Sequence, residues 1–326
     1  MRQNRIFTTN IFEEFIYRPL IILFSYFCKY NFYIKNAIVI RHITMTAKPL
    51  QLNLNNQLVD CSSPIVMGIL NTTPDSFFKG NRFSSDKNIL KCVETIINDG
   101  GTIIDIGGYS TRPSAELVNE DEELRRVSQA IEIILKKFPD VILSVDTFRS
   151  NIVRELVKQY KIAMINDISG GTLDHLMFET IADLKVAYVL MHTRGTPQTM
   201  QNLTNYEDLV SEVFQFLQKK TAQLKLLGVN DIVIDLGFGF AKNTEQNFQL
   251  LSKLSYFKEL GIPILAGLSR KSMIYKTLST DAEGALNGTT AAHMLALIEG
   301  ASILRAHDVK EAMEAVKIYN NYMQNK

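Results

Sequence analysis

Eight short stretches of the chain hold most of the side chains that could do chemistry. They are Asn71–Phe77, Gly107–Pro113, Asp146-Thr147, Asn166-Asp167, Met191–Gly195, Asp235–Lys242, Ser269–Ser272 and Arg305–Asp308. Between them they offer carboxylates, carboxamides, Lys, Arg and His. Carboxylates and carboxamides can grip the N–H edge of a polar heterocycle, and the cations can grip an anionic group such as a phosphate. Each stretch also has a plainer role open to it. Asp146 can cap a following helix, Asp235 can open a turn with Gly237, and a Met such as Met191 is commonly core. What argues for a site is that all of them follow the same kind of element.

Those elements are short β-branched runs: Ile65–Leu70, Thr102–Ile106, Val141–Val145, Ala163–Ile165, Val186–Met191, Ile232–Asp235, Ile262–Ala266 and Ser302–Arg305. Each reads as apolar on both faces, the pattern of a buried parallel strand. Helical patterns follow them over Lys87–Asn98, Glu120–Lys137, Ser150–Gln159, Leu173–Leu184, Tyr206–Leu227, Thr244–Leu254, Asp281–Glu299 and Asp308–Tyr322. Glu120–Lys137 opens on acids and closes on Lys136-Lys137, which suits the helix dipole. Eight strands alternating with helices predict a single-domain α/β fold, the (β/α)8 or TIM barrel, whose active site lies at the C-terminal ends of the strands. A doubly wound sheet would use fewer strands and a glycine-rich nucleotide turn, and neither GxGxxG nor GxxxxGK[ST] occurs.

The chain has 326 residues, 46% of them hydrophobic and 21% charged, with a net charge of +1. That composition excludes disorder for most of its length and gives no global footprint for nucleic acid. Three cysteines without a CxxC pair support neither a disulfide framework nor a zinc site, and fit a reducing cytoplasm. Residues 1–44 differ from the rest: they are rich in Phe, Ile and basic residues, with Glu13 and Glu14 as their only acids. Their best apolar run, Leu20–Cys28, is about half of what a membrane helix needs. Met45 is read as the true start and residues 1–44 as an upstream extension. The alternative is a weak membrane-associated anchor, the one source of membrane contact. The domain organisation expected is therefore 1–44 as extension and 45–326 as barrel.

In order along the chain, NTTPDSF at 71–77, GGYSTRP at 107–113, SVDT at 144–147, Asn166-Asp167, DLGFGFAK at 235–242, SRKS at 269–272 and RAHDV at 305–309 resemble the motifs of dihydropteroate synthases. The resemblance covers about residues 65–310. It implies a transferase of folate biosynthesis that condenses 6-hydroxymethyl-7,8-dihydropterin pyrophosphate with 4-aminobenzoate, using Mg2+, on a barrel that forms homodimers. By the same resemblance, Asp146, Asn166, Met191, Asp235, Lys271 and Arg305 line the pterin pocket, with Arg305 stacked on the pterin face. Asn71, Thr111, Arg305 and His307 contact the pyrophosphate, and Asn71 also ligates Mg2+. Phe77, Pro113, Phe240 and Ser272 shape the aminobenzoate pocket. Asp75, Thr111, Arg112 and Lys271 serve catalysis, and pyrophosphate departs before the amine attacks.

Three positions depart from that family's pattern: Leu236 stands for Pro, Ala241 for Gly, and Tyr109 for a common Glu. Phe77, Pro113 and Ser272 keep the identities that the resemblance implies, so sulfonamides that mimic aminobenzoate are expected to inhibit. Two other readings share the barrel, a methyltetrahydrofolate-binding methyltransferase and a non-catalytic pterin-binding protein. The NTTPDSF, SRK and RAH stretches argue against the first, and the presence of Asp75 and Arg112 against the second.

Overall fold

Eight parallel strands close on themselves in the computed structural model, which describes residues 50–72, 82–109 and 118–326. The chain divides into units 1–48 and 49–326, and the barrel belongs to the second. The expected extension, 1–44, lies outside the described residues. The barrel strands are β3 (Ile65–Asn71), β4 (Ile103–Gly107), β5 (Ile142–Asp146), β6 (Ile162–Asp167), β7 (Ala187–Met191), β8 (Ile232–Asp235), β9 (Ile264–Ala266) and β10 (Ile303–Ala306). They pair in sequence order, and β10 closes the ring against β3. This is the expected (β/α)8 barrel, with every expected strand present to within two residues. Two strands precede it: β1 (Gln51–Leu54) and β2 (Gln57–Asp60) form an antiparallel hairpin. Its turn places Asn55 and Asn56 at φ 55° and 64°, the left-handed pair that a two-residue hairpin turn demands.

The described helices are α1 (Arg82–Asn98), α2 (Glu120–Lys137), α3 (Ser150–Gln159), α4 (Met177–Leu184), α5 (Leu209–Leu226), α6 (Thr244–Leu251), α7 (Ser272–Thr277), α8 (Leu286–Ile298) and α9 (Val309–Gln324). α2 has the expected bounds because both ends are signalled. The Asn119 side chain accepts from Glu122 N at 2.8 Å, four acids fill the first turn and two lysines the last. The helix expected over Asp281–Glu299 begins only at Leu286. The Asp281 carboxylate accepts from the N–H groups of Glu283 and Gly284 at 3.0 and 2.9 Å, a local turn that competes with helix. The expected Thr244–Leu254 helix stops at Leu251, and a 3-10 helix takes over at Leu254–Leu260.

Two apolar layers hold the barrel. The larger lies between strands and helices. The smaller fills the barrel interior and contains Met67, Ile103, Met164, Val189, Val233 and Ile303 together with Leu52 and Leu54 of the hairpin. Asn53 N donates to the Asp231 carboxylate at 2.7 Å and Asn55 Nδ2 to Lys161 O at 3.0 Å. Asp231 and Lys161 immediately precede β8 and β6, so the hairpin plugs the N-terminal mouth. The C-terminal mouth is built differently. There the strands are not apolar on both faces as expected: Asp105, Ser144 and Asn166 are buried polar residues of β4, β5 and β6. Among the described residues no helix is long and apolar enough to cross a membrane.

Candidate active site

Four side chains from four strands meet inside the C-terminal mouth. Arg305 of β10 donates from Nε to Asp105 Oδ2 at 2.6 Å and from Nη2 to Asp146 Oδ2 at 2.7 Å. Asn166 of β6 donates from Nδ2 to Asp105 Oδ2 at 2.9 Å. Since β4, β6 and β10 are not neighbours, these bonds cross the barrel lumen. Burial raises the Asp146 carboxyl above its ordinary range, and Arg305 opposes that rise. Burial alone would lower the Arg305 pKa, but Asp105 and Asp146 hold it above its usual value, so the guanidinium stays charged. Asp105 Oδ1 is buried without a hydrogen-bond partner among the described residues. An unpartnered buried carboxylate oxygen is costly unless a donor arrives. The cluster is therefore an acceptor waiting for an N–H edge.

A second group stands across the mouth. Asp235 ends β8, and its Oδ1 accepts from Gly237 N at 2.8 Å, so the plain turn-opening role exists beside any other. Lys271 directly precedes α7, donates from Nζ to Phe238 O and lies 4.9 Å over the Phe240 ring. A Cβ built on Gly267 would stand 3.7 Å from both Asp235 Oδ2 and Lys271 Nζ, so the bare glycine leaves room for the two groups to face one pocket. Burial raises the Asp235 carboxyl, with Lys271 opposing. Burial pushes Lys271 down to about 8, with Asp235 opposing. Lys271 also feels Arg305 and Asp146, which joins the two groups into one electrostatic unit.

The chain that presents Lys271 is under strain. Arg270 has φ 55°, a conformation that costs a residue with a Cβ about 1 kcal/mol or more. Its guanidinium offsets this: Nε and Nη2 donate to the two oxygens of Asp308 at 2.8 Å each, and Nη1 to Ala282 O and Glu283 O at 2.7 and 3.0 Å. Beside it, His307 N donates to Ser269 Oγ at 3.1 Å, and that hydroxyl lies 3.0 Å from His307 Nδ1. The β9 and β10 loops are thereby locked together.

Of the residues singled out in the sequence, Asp146, Asn166, Asp235, Lys271 and Arg305 are brought to this mouth, and His307 stands beside it. Arg305 is held side-on to two carboxylates. Asn71 ends β3, and its Oδ1 and Asp146 Oδ2 both border Gly107, at 3.6 and 3.9 Å from a Cβ built there. Met191 is buried at the end of β7. Ser272 opens α7 and Phe240 lies beneath Lys271. Asp75, Phe77, Thr111, Arg112 and Pro113 lie outside the described residues. Asp105 is the residue of this cluster that sequence reasoning misses. Its signal is present: a lone charge inside Ile103-Ile104-Asp105-Ile106, a run whose neighbours are all buried.

Comparison with known proteins places the chain in a family. Residues 67–307 match the family model of pterin binding enzymes. The chain is 40% identical over 272 residues to a dihydropteroate synthase of Haemophilus influenzae, covering 83% of this chain and 98% of that protein. The chain belongs to the dihydropteroate synthase family. Its fold is similar to that of the Yersinia pestis dihydropteroate synthase solved with a sulfonamide drug, with a TM-score of 0.77 and 37% identity over 84% of this chain and 99% of that one. It is similar as well to the Xanthomonas albilineans dihydropteroate synthase solved with 4-aminobenzoic acid, with a TM-score of 0.78 and 36% identity over 85% and 99% of the two chains.

The three departures from the dihydropteroate synthase pattern are absorbed locally. Leu236 is buried. Ala241 takes φ 51°, a conformation easier for Gly, and its carbonyl accepts from Tyr206 Oη at 3.0 Å. Tyr109 is buried edge-on to Phe148 with ring centroids 5.7 Å apart, and its hydroxyl accepts from Gln198 Nε2 at 3.2 Å.

Proposed function

We propose that this chain condenses 6-hydroxymethyl-7,8-dihydropterin pyrophosphate with 4-aminobenzoate, giving 7,8-dihydropteroate and pyrophosphate in folate biosynthesis. The observation that carries the reading is the Asp105–Asn166–Arg305–Asp146 cluster, whose acceptors and fixed charge match the amino and N–H edge of a pterin. Asp235 accepts from the pterin on the opposite wall, and Lys271 donates to its carbonyl and ring. Met191 closes the pocket. Asn71, Arg305 and His307, with Thr111, hold the pyrophosphate. Phe240 and Ser272, with Phe77 and Pro113, shape the aminobenzoate pocket.

The reaction runs as a dissociative displacement. The bond from the pterin methylene carbon to the pyrophosphate oxygen breaks, and the electron pair leaves with pyrophosphate. The buried carboxylates stabilise the methylene cation left behind, because fixed negative groups act strongly where water is excluded. The neutral aryl amine attacks that carbon and sheds its proton. No covalent enzyme intermediate is needed. Asp75, Thr111 and Arg112 serve this step together with Lys271.

Mg2+ fits the donor set through one hard ligand, Asn71 Oδ1, which borders the same glycine as Asp146. Magnesium is commonly held by one or two protein oxygens plus substrate phosphates. When bound it neutralises charge on the departing pyrophosphate. The homodimer is supported by an exposed apolar row on α8 and α9: Leu295, Ile298, Ile318 and Tyr322 are each more than half exposed. The cytoplasm is supported by the free thiols of Cys61 and Cys92.

The test is pyrophosphate release from the pterin pyrophosphate, which should require both 4-aminobenzoate and Mg2+. Sustained multiple-turnover release at the same rate without 4-aminobenzoate would overturn the reading. A sulfonamide in large excess over 4-aminobenzoate should suppress turnover, and unchanged turnover would remove the assigned aminobenzoate pocket.

A further inference from the structure

Lys242 is a buried lysine that the condensation leaves without a task. Its side chain is 3% exposed and its ammonium sits inside the turn that joins β8 to α6. It donates to Phe240 O at 2.9 Å and to Gly237 O at 3.0 Å, and it meets His192 Nδ1 at 3.0 Å. Burial pushes the Lys242 amine down to about 7, with Asp235 opposing. Burial and the Lys242 charge together push His192 well below its ordinary pKa, in keeping with a neutral ring. The charged groups that face Lys242 are Asp235, Lys271 and Arg194, from β8, the start of α7 and the β7 loop.

The turn it occupies is contorted. Gly237, Gly239 and Ala241 take φ 71°, 82° and 51°, and a Cβ on Gly237 would stand 1.9 Å from His192 O. The same turn governs the pocket. Gly237 N donates to Asp235 Oδ1, and Phe238 O accepts from Lys271. The carbonyls of Gly237 and Phe240 thus bind Lys242, while the Phe238 carbonyl between them binds Lys271. A shift in the first pair moves the third. Asn247 accepts from Gly239 N at 2.7 Å, and Phe240 N donates to Gly237 O at 3.1 Å, so the Gly237 carbonyl is shared between the turn itself and Lys242.

We infer that Lys242 is a positioning residue of the pterin pocket, acting through the Gly237–Phe240 turn on Lys271. The inference rests on the pterin reading of the site. Lys242 touches no substrate. It sets the carbonyl that aims Lys271.

The experiment is a double-mutant cycle read by calorimetric titration with 6-hydroxymethylpterin, using the full chain, Lys242→Met, Lys271→Met and the double variant. Each single change should weaken binding about tenfold. If Lys242 acts through Lys271, the double variant binds within about twofold of Lys271→Met alone. A double variant whose loss is the product of the two single losses overturns the inference, as does wild-type affinity in Lys242→Met. Binding of pyrophosphate, assigned to Asn71, Arg305 and His307 outside this turn, should stay unchanged in Lys242→Met, a result that a general loosening of the fold would not give. If Lys242→Met does not fold, Lys242→Leu, which also removes every donor to the turn carbonyls, replaces it in the same cycle under the same criteria. A wild-type chain that fails to bind the pterin removes the pterin reading itself, and the inference with it.

Discussion

At the N-terminal mouth of the barrel the hairpin drives Leu52 and Leu54 into a lumen of Met67, Ile103, Met164 and Val233. A few residues further along the same strands the lumen holds Asp105, Asp146, Asn166, Asp235 and Arg305. The first end excludes water and the second does so less completely, with Arg305 20% and Asp146 15% exposed, and the consequences are opposite. Burying each leucine stabilises the fold by about 1.5–3 kcal/mol. Burying carboxylates raises their pKa values and strains the folded state, and the ion pairs roughly offset the desolvation without adding much stability. One mouth therefore holds the barrel shut, and the other holds charges ready for a ligand.

The contrast can be broken most forcefully at Asp146. Asp146→Asn should lower kcat/KM for the pterin substrate by about 10³-fold, while the melting midpoint shifts by only a few degrees because Arg305 keeps Asp105. A large loss of stability with modest loss of activity would reverse the roles assigned to the two mouths. At the other end, Leu54→Ala should cost about 2–5 kcal/mol in urea denaturation with both KM values unchanged. A change in KM for either substrate would show that the plug reaches the site.

A third test separates activity from stability by pH. Lys271 stands at about 8 because of burial, and it must be protonated to donate to the pterin as a cation. Turnover at low substrate should rise with pH as Asp146, raised by burial to about 7, ionises, and fall about tenfold per unit once the pH passes about 8. Lys271→Arg keeps its charge throughout and should flatten that limb. Stability runs the other way: between about 8 and the ordinary lysine value of 10.5 the unfolded chain holds the proton more tightly, so unfolding becomes harder as pH rises. A midpoint that falls over that interval would contradict a buried Lys271. The smallest effect belongs to Leu58, on the same hairpin as Leu54 but 74% exposed. Leu58→Ser should change stability by less than about 0.5 kcal/mol, which would confine the plug to the two buried leucines.

Much of this molecule is legible from residue order. Runs such as Ile232–Asp235 are too short and too apolar for anything but buried strands, and α2 carries its own start and stop signals. The polar ends of those strands also mark the mouth. Less legible is anything that depends on a neighbour distant in the chain. Asp105 looks like an intruder in an apolar run until Arg305, 200 residues away, and Asn166 are placed across the lumen from it. The hairpin goes unmarked because Gln51–Asp60 is too short and polar to declare a buried face, and only the open barrel mouth supplies one. Residues 281–284 look helical until Asp281 captures their N–H groups.

Local order therefore dictates the strands, the helices and the family to which the chain belongs, because periodicity, caps and motif residues act over a few positions. Closure of the barrel decides the rest. It selects which carboxylates share a cation, how far each is stripped of water, and that Lys242 props the turn from which Lys271 is aimed. Electrostatic energy depends on separation and on the surrounding dielectric, and both quantities exist only once the ring has closed.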